Sequence, residues 1–176
     1  SSGLHSDTYM QCARVLMCPE RAQRLCLELA KKVEDRLGKD AFDIVVAPAM
    51  GGVVVGYEMG KQLGKNTIFC ERVNGEFELR RGFELEENAR VLVVEDVITT
   101  GKSSLETYRL IEKLNAKVVA QCCLVDRSND ENLENKMSVP IISLLKVEVQ
   151  TFDENDVPDS LKDIDAIKPG SRFLKK

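Results

Sequence analysis

The chain is predicted to fold as α/β, with a central parallel sheet flanked by helices. Three observations carry that expectation. Residues 42–47, 67–70, 91–94, 118–125 and 141–145 are short apolar runs rich in β-branched side chains, as in strands buried on both faces. The stretches between them carry apolar residues at helical spacing or read as loops. Three of the runs end in chemically distinctive residues, at Pro48, Glu95-Asp96 and Asp126-Arg127. Strands alternating with helices form parallel sheets covered on both sides, and such sheets gather ligands at the carboxyl ends of their strands. Motifs far apart in sequence can therefore meet in one crevice.

After Pro19, the residues Ala22, Leu25, Cys26, Leu29, Ala30, Val33 and Leu37 recur at the period of a helix, which Gly38 stops. The strand at 42–47 leads through Pro48 into Ala49-Met50-Gly51-Gly52. A helix over 51–63 is then predicted, with Val53, Val54, Tyr57 and Leu63 packing inward. Its leading glycines leave amides open to an anion, and a tight strand-to-helix turn explains them equally well. Beyond the strand at 67–70, Asn74-Gly75 marks a tight hairpin turn within 71–83. Arg72, Arg80 and Arg81 flank it. Taken alone, this segment is a solvated hairpin with surface charge.

The strand at 91–94 drives into Glu95-Asp96-Val97-Ile98-Thr99-Thr100-Gly101-Lys102-Ser103. Ser103 and Glu106 have the spacing of a capping box, so a helix is expected from near Ser103. Leu105, Tyr108, Leu110, Ile111 and Leu114 would fall mostly on one of its faces. Cys122 and Cys123 sit inside the run at 118–125, as buried thiols do. The tail after Thr151 is polar and acidic, then basic, and is expected to wrap the surface.

A length of 176 residues suits one domain, 1–176, with a substantial core. Apolar residues at 43% and charged residues at 31% are ordinary for a globular protein. No apolar run approaches a membrane span, and no basic, apolar leader opens the sequence. A net charge of -4 without a basic stripe argues against nucleic acid as a partner. The six cysteines form no CxxC pair and meet a single histidine, His5, which reads as a surface residue. Structural zinc is therefore not expected, and the thiols read as reduced and cytoplasmic.

The run from Glu95 to Ser103 carries the chemistry. Backbone amides at a helix start are unpaired and attract anions. Gly101 allows a tight turn and close approach of a phosphate, the Thr and Ser hydroxyls add donors, and Lys102 adds positive charge. Glu95 and Asp96 repel a phosphate. They suit a vicinal diol, or a hydrated Mg²⁺. The loop thus reads as a ribose-phosphate site. Gly101-Lys102-Ser103 also matches the end of a nucleotide-binding P-loop, but the first glycine of that pattern would fall at Asp96, where a carboxylate would face the phosphates.

Glu95-Asp96-Val97-Ile98-Thr99-Thr100-Gly101 resembles the phosphoribosyl pyrophosphate (PRPP) motif of type I phosphoribosyltransferases, in the wording of the orotate phosphoribosyltransferases. Residues 2–9 resemble that family's amino-terminal substrate strand, and Ala47-Pro48-Ala49-Met50-Gly51-Gly52 resembles its pyrophosphate loop. Leu124-Val125-Asp126-Arg127 resembles the strand end bearing its orotate-binding arginine, and Lys168-Pro169-Gly170-Ser171-Arg172 resembles the tail of one of its branches. The pieces stand in family order over nearly the whole chain.

The resemblance implies a type I phosphoribosyltransferase fold with a small hood, placed near 1–15 and in the tail 151–176, and a flexible hairpin loop. In relatives a helix and strand precede this segment and close part of the hood. It implies transfer of phosphoribose from PRPP to orotate with Mg²⁺, in a homodimer with shared active sites. Glu95, Asp96 and the loop arginines Arg72, Arg80 and Arg81 would be catalytic. PRPP would lie on residues 95–103 and on Ala49, Met50, Gly51 and Gly52, with a non-proline cis peptide near Ala49-Met50. Orotate would meet Thr99, Arg127, Ser2, Tyr9 and Met10. Without the resemblance, Arg127 reads as a surface ion pair with Asp126 or Asp130, and Tyr9 as core. Family loops commonly carry a catalytic lysine, yet no lysine lies between Lys65 and Lys102. Arginine neutralises developing pyrophosphate charge but donates protons poorly. Val157-Pro158-Asp159-Ser160 replaces a Cys-Pro-x-Cys common in close relatives, which removes any metal or disulfide role there. A phosphoribosyltransferase for a purine or uracil, or a PRPP-sensing regulator on the same fold, is the alternative.

Overall fold

The computed structural model describes residues 5–128, 130, 132–153 and 155–164. Ser2 and the segment 168–172 lie outside the described residues. The elements run β1 (His5–Ser6), α1 (Cys12–Leu16), α2 (Pro19–Leu37), β2 (Ile44–Pro48), α3 (Gly51–Leu63), β3 (Asn66–Val73) and β4 (Glu76–Leu79). They continue with β5 (Arg90–Ile98), α4 (Lys102–Lys113), β6 (Lys117–Asp126), α5 (Leu133–Met137), β7 (Ile141–Lys146), β8 (Thr151–Phe152) and α6 (Asp159–Lys162).

Six strands form one sheet in the order β4-β3-β2-β5-β6-β7. Every neighbouring pair in it is parallel except the β3–β4 hairpin. Its turn is Asn74-Gly75, both at positive φ as a two-residue hairpin turn requires. The expected strands are all present. The apolar run at 91–94 is explained by burial on two sides. Leu92 and Val94 join a core with α2 and α3, and Val91 and Val93 join a second core with α4. Side-chain alternation along a strand does the sorting.

The two helices beside the crevice cover opposite faces because of connection handedness. β2 returns through α3 to β3 on one side, and β5 returns through α4 to β6 on the other. A crossover between parallel strands is right-handed, so connections running in opposite directions place their helices on opposite faces. Between β2 and β5 the strand order reverses. Their pairing runs only from Ile44↔Val91 to Val46↔Val93, and the chains part beyond it. That parting creates a crevice at the carboxyl ends.

The inward face of α3 differs from the expectation. Leu63 is buried and Val53 partly so, but Val54 is 50% and Tyr57 71% exposed. The face against the sheet carries Gly52, Val55, Gly56, Met59, Gly60 and Leu63. A Cβ on Gly56 would lie 2.7 Å from the Ala47 Cβ, and one on Gly60 would lie 1.9 Å from Thr67 Oγ1. The helix sits too close to β2 and β3 for larger residues, so the glycine stripe turns inward and Val54 and Tyr57 turn out.

The capping box at Ser103 is also absent. α4 starts at Lys102 after Gly101, whose φ is 71° and which has no side chain to cap it. Ser103 is inside the helix, where its carbonyl accepts from Thr107 Oγ1 at 2.9 Å, and Glu106 pairs with Arg72 instead. On α4 the buried residues are Ser104, Thr107, Tyr108 and Ile111, while Leu114 is exposed. At the chain's two ends, β1 pairs with β8 through His5↔Phe152 and Ser6↔Thr151.

Candidate active site

The loop after β2 and the loop after β5 flank the crevice. Gly51, first residue of α3, stands against Asp96: a Cβ built on it would lie 2.9 Å from Asp96 Oδ1. The Ala49–Met50 peptide is cis, and the Ala49 amide donates to the Cys70 carbonyl at 2.8 Å. Gly101 turns the second loop through a left-handed backbone, and Thr99, Thr100 and Lys102 are exposed beside it. The first amides of α4 suit an anion, with the Lys102 amide making only a long bond, 3.4 Å, to Thr100 Oγ1. Ile98 is buried and Val97 half-buried, which anchors the strand end beneath the loop.

The two adjacent acids point to opposite faces of the sheet. Asp96 faces α3 and accepts the Val97 amide at 2.9 Å. Burial raises its pKa, and amide bonds from Val97 and from Asp96 itself oppose the rise. Cys12 of α1 lies near enough for this carboxylate to add to burial in raising the thiol to about 11. Glu95 turns under α4 instead. Its Oε1 accepts from Ser104 Oγ and, at 3.3 Å, from Gln121 Nε2. Gln121 Nε2 also donates to Ser104 Oγ at 2.8 Å, and Tyr108 donates to Gln121 Oε1 at 2.6 Å. Burial drives the Glu95 pKa up to about 7, opposed by the Ser104 bond, raised further by Asp96, and opposed by Gln121.

Neither acid has an ion pair among the described residues. Two carboxylates without a cationic partner at one strand end suit a ligand that brings hydroxyls or a cation.

Arg127 follows β6, its amide bonded to the Ile98 carbonyl at 3.0 Å. Its guanidinium has no ion pair among the described residues. The ion pair read for it with Asp126 or Asp130 is not formed: Asp126 accepts the Ser128 amide at 2.9 Å, and Asp130 pairs with Lys136. Tyr9 is 48% exposed rather than core, its hydroxyl accepting from Gln11 Nε2 at 3.2 Å. Met10 packs against the core on the α2–α3 side.

The hairpin arginines are divided. Arg72 pairs with Glu106, donates to the Gly75 carbonyl, and lies 4.3 Å from the Phe77 ring centre. Arg81 pairs with Glu71 at 2.6 Å and lies 5.6 Å from the Phe69 ring centre. Arg80 is exposed and has no ion pair among the described residues. A groove of about 830 Å³ lies between the hairpin and α4, lined by residues including Phe77, Leu79, Phe83, Arg109 and Leu110. None of the residues assigned to PRPP or orotate lines it.

A family model for the phosphoribosyl transferase domain matches residues 18–156. The orotate phosphoribosyltransferase of Erythrobacter litoralis (strain HTCC2594) is 51% identical over 172 residues, covering 98% of this chain and 87% of that protein. The orotate phosphoribosyltransferase of Maricaulis maris (strain MCS10) is 50% identical over 174 residues, covering 99% and 88%. This chain belongs to the phosphoribosyltransferase family. Its fold is the type I phosphoribosyltransferase fold. The structure of orotate phosphoribosyltransferase from Aeropyrum pernix superposes with a TM-score of 0.70 at 23% identity, over 84% of this chain and 83% of that one. Adenine phosphoribosyltransferase from Saccharomyces cerevisiae superposes at 0.67 with 19% identity, over 81% and 94%. At such identities the superpositions speak for the fold alone.

Within this phosphoribosyltransferase the sequence reading missed Ser104, Tyr108 and Gln121. A signal existed for Gln121, a polar residue inside the apolar run at 118–125. A buried amide needs a partner, so its presence points to a polar neighbour.

Proposed function

We propose that the chain is an orotate phosphoribosyltransferase, carrying phosphoribose from PRPP to N1 of orotate in the de novo synthesis of UMP. The observation that carries this reading is the placement of Asp96 against Gly51 at the sheet's switch point, with Arg127, which has no ion pair among the described residues, at the next strand end. About 50% identity to orotate phosphoribosyltransferases over nearly the full chain supports the choice of base.

The bond from the anomeric carbon to pyrophosphate breaks, and its electron pair leaves with pyrophosphate. Orotate N1 forms the new bond and gives up its proton to the departing pyrophosphate or to water, yielding orotidine 5′-monophosphate. Positive charge grows on the sugar and negative charge on the leaving group. Catalysis then rests on positioning and on charges fixed in advance. Asp96 and Glu95 face the ribose hydroxyls and the developing positive charge. The amides at Gly101, Lys102 and Ser103 hold the 5′-phosphate, with Thr99, Thr100 and Lys102 adding donors. Gly51 and Gly52 begin the pyrophosphate side with Ala49 and Met50. Arg80, which has no ion pair among the described residues, is the arginine available for the departing pyrophosphate. Arg127 takes the orotate carboxylate as a planar fork, and Thr99 with Tyr9 and Met10 completes the base pocket.

No group of three or more His, Cys, Asp or Glu among the described residues is arranged to hold a metal ion. In this reading Mg²⁺ would supply positive charge that neutralises the pyrophosphate, and it would be held mainly by substrate oxygens, with few or no direct protein ligands. The exposed apolar stripe of Met50, Val54 and Tyr57, running from the pyrophosphate loop onto α3, supports a homodimer. The chain acts as one cytoplasmic domain, with its hood near β1 and β8.

Pyrophosphate release from PRPP is measured with orotate, uracil and hypoxanthine as acceptors. Turnover with orotate alone is expected. Turnover with hypoxanthine or uracil, and none with orotate, overturns the reading.

A further inference from the structure

Below the crevice lies a polar chain that phosphoribosyl transfer does not by itself require. Gln121 is 0% exposed, Ser104 1% and Tyr108 5%. They come from two elements, α4 and β6, and every bond runs one way. The Tyr108 hydroxyl donates to the Gln121 carbonyl oxygen, the Gln121 amide donates to Ser104 Oγ and to Glu95 Oε1, and the Ser104 hydroxyl donates to Glu95 Oε1. Both bonds from this chain to Glu95 end on the same oxygen. Glu95 Oε2 accepts nothing within the described residues, yet no fully buried side-chain oxygen lacks a partner. Oε2 therefore reaches solvent.

A core could be filled here by apolar residues at lower risk, because a buried polar group is costly once any partner is lost. An arrangement that satisfies one carboxylate oxygen from beneath and leaves the other without a protein partner, at the edge of solvent, does something packing does not. It fixes the rotamer of a flexible side chain and selects which oxygen is presented.

We infer that Tyr108, Gln121 and Ser104 are positioning residues, which lock Glu95 through Oε1 and present Oε2 to a ribose hydroxyl of PRPP. This rests on the phosphoribosyl-transfer reading above. The chain acts on the sugar side of the reaction and leaves the base side untouched. Its effect passes entirely through Glu95.

The test is a double-variant cycle in the full chain. Gln121→Met keeps the volume and removes the amide. It is expected to lower kcat/KM for PRPP about tenfold, the scale of one lost bond to a charged group, with the orotate KM within about twofold of wild type. In a Glu95→Ala background the same substitution is expected to lower kcat/KM no further, because the group it positions is gone. Tyr108→Phe deletes only a hydroxyl and is expected to act in the same direction, by about threefold. It replaces Gln121→Met in the cycle if that variant does not fold. Losses that multiply in the double variant, or PRPP and orotate KM values that rise together, overturn the inference. Wild-type turnover separates the two claims. If the wild type does not join PRPP to orotate, the proposed activity fails, and the cycle is read instead by calorimetry with Mg²⁺ and PRPP. Additive losses of PRPP affinity there overturn the positioning role itself.

Discussion

Asp96 and Gly51 come from different loops, and a single added carbon would drive them into each other. A Cβ on Gly51 would lie 2.9 Å from Asp96 Oδ1, 3.0 Å from Oδ2 and 3.1 Å from Cγ. Glycine is needed here for space, since its φ is not positive. Gly51→Ala must displace the carboxylate or the start of α3. A shift on the order of 1 Å at a positioning group costs roughly 100-fold in rate. We therefore expect kcat/KM for PRPP to fall by about 10- to 100-fold, measured by initial rates. A wild-type value would show that Asp96 is free to move without consequence.

Asp96→Ala separates activity from stability. Burial raises the carboxyl pKa, so the ionised side chain is held against its preference for water. Removing it is expected to leave the thermal midpoint unchanged or higher. Turnover is expected to fall by about 100- to 1,000-fold, the scale for loss of one fixed electrostatic partner. Thermal melts beside steady-state rates check both halves. Near-normal turnover would remove Asp96 from the catalytic set.

Much of this arrangement was legible in the sequence, for reasons that differ by element. The run at 91–94 and the helix after Pro19 follow from burial and periodicity, which act locally. The inward face of α3 escapes a count of apolar residues, because that count ignores how close two backbones can approach. Gly52 and Gly56 face the sheet because neither has a side chain to clash with Ala47. The spacing of Ser103 and Glu106 predicts a capping box, but the left-handed turn at Gly101 starts α4 at Lys102, ahead of Ser103. The opposite facing of Glu95 and Asp96 follows from strand alternation and could have been foreseen. Gln121 signalled a polar neighbour, but its pairing with Glu95 and Ser104 depended on packing α4 over β6, a tertiary fact that no local pattern encodes.

Arg127 offers a test that discriminates between substrates. Its guanidinium has no ion pair among the described residues, so the energy of a bidentate carboxylate contact is available to a ligand. Arg127→Ala is expected to raise the orotate KM by about 10- to 100-fold, from the loss of a charge-assisted pair, and the PRPP KM by less than about threefold. Equal changes in the two constants would remove Arg127 from the base site.

Glu95 predicts a pH dependence of stability. Its pKa stands at about 7 in the folded protein against an ordinary 4.5. Between those values the folded state holds more protons than the unfolded one, so stability falls as pH rises. The contribution is full below pH 4.5 and is lost as pH passes through about 7. The difference corresponds to about 3 kcal/mol as an order of magnitude. Asp43 acts in the opposite sense, because Arg90 lowers it from 3.8 to about 2, a window entirely below that of Glu95. Glu95→Gln, which mimics the protonated acid, is expected to flatten the slope between pH 5 and 7. Urea unfolding at a series of pH values measures it. An unchanged slope in the variant would assign the dependence elsewhere.

Gly101 is held for two independent reasons, and they can be separated. Its φ of 71° disfavours any side chain, and a Cβ there would lie 2.3 Å from Met137 Cε and 3.2 Å from Leu133 Cδ1. The backbone term alone is about 1–2 kcal/mol, and forcing a methyl group into a packed site adds about 1–3 kcal/mol. Gly101→Ala is therefore expected to destabilise the chain by about 2–5 kcal/mol in urea unfolding. Met137→Ala alone should cost about 2–4 kcal/mol, since Met137 is buried. In the double variant the new methyl group occupies space that Met137 has vacated. The two losses should then sum to more than the measured loss, by about 1–2 kcal/mol of favourable coupling. PRPP binding should stay impaired in the double variant, because the left-handed backbone that opens the amides of α4 is still disfavoured. Strict additivity of the two losses would mean that α5 does not support the phosphate loop through Met137.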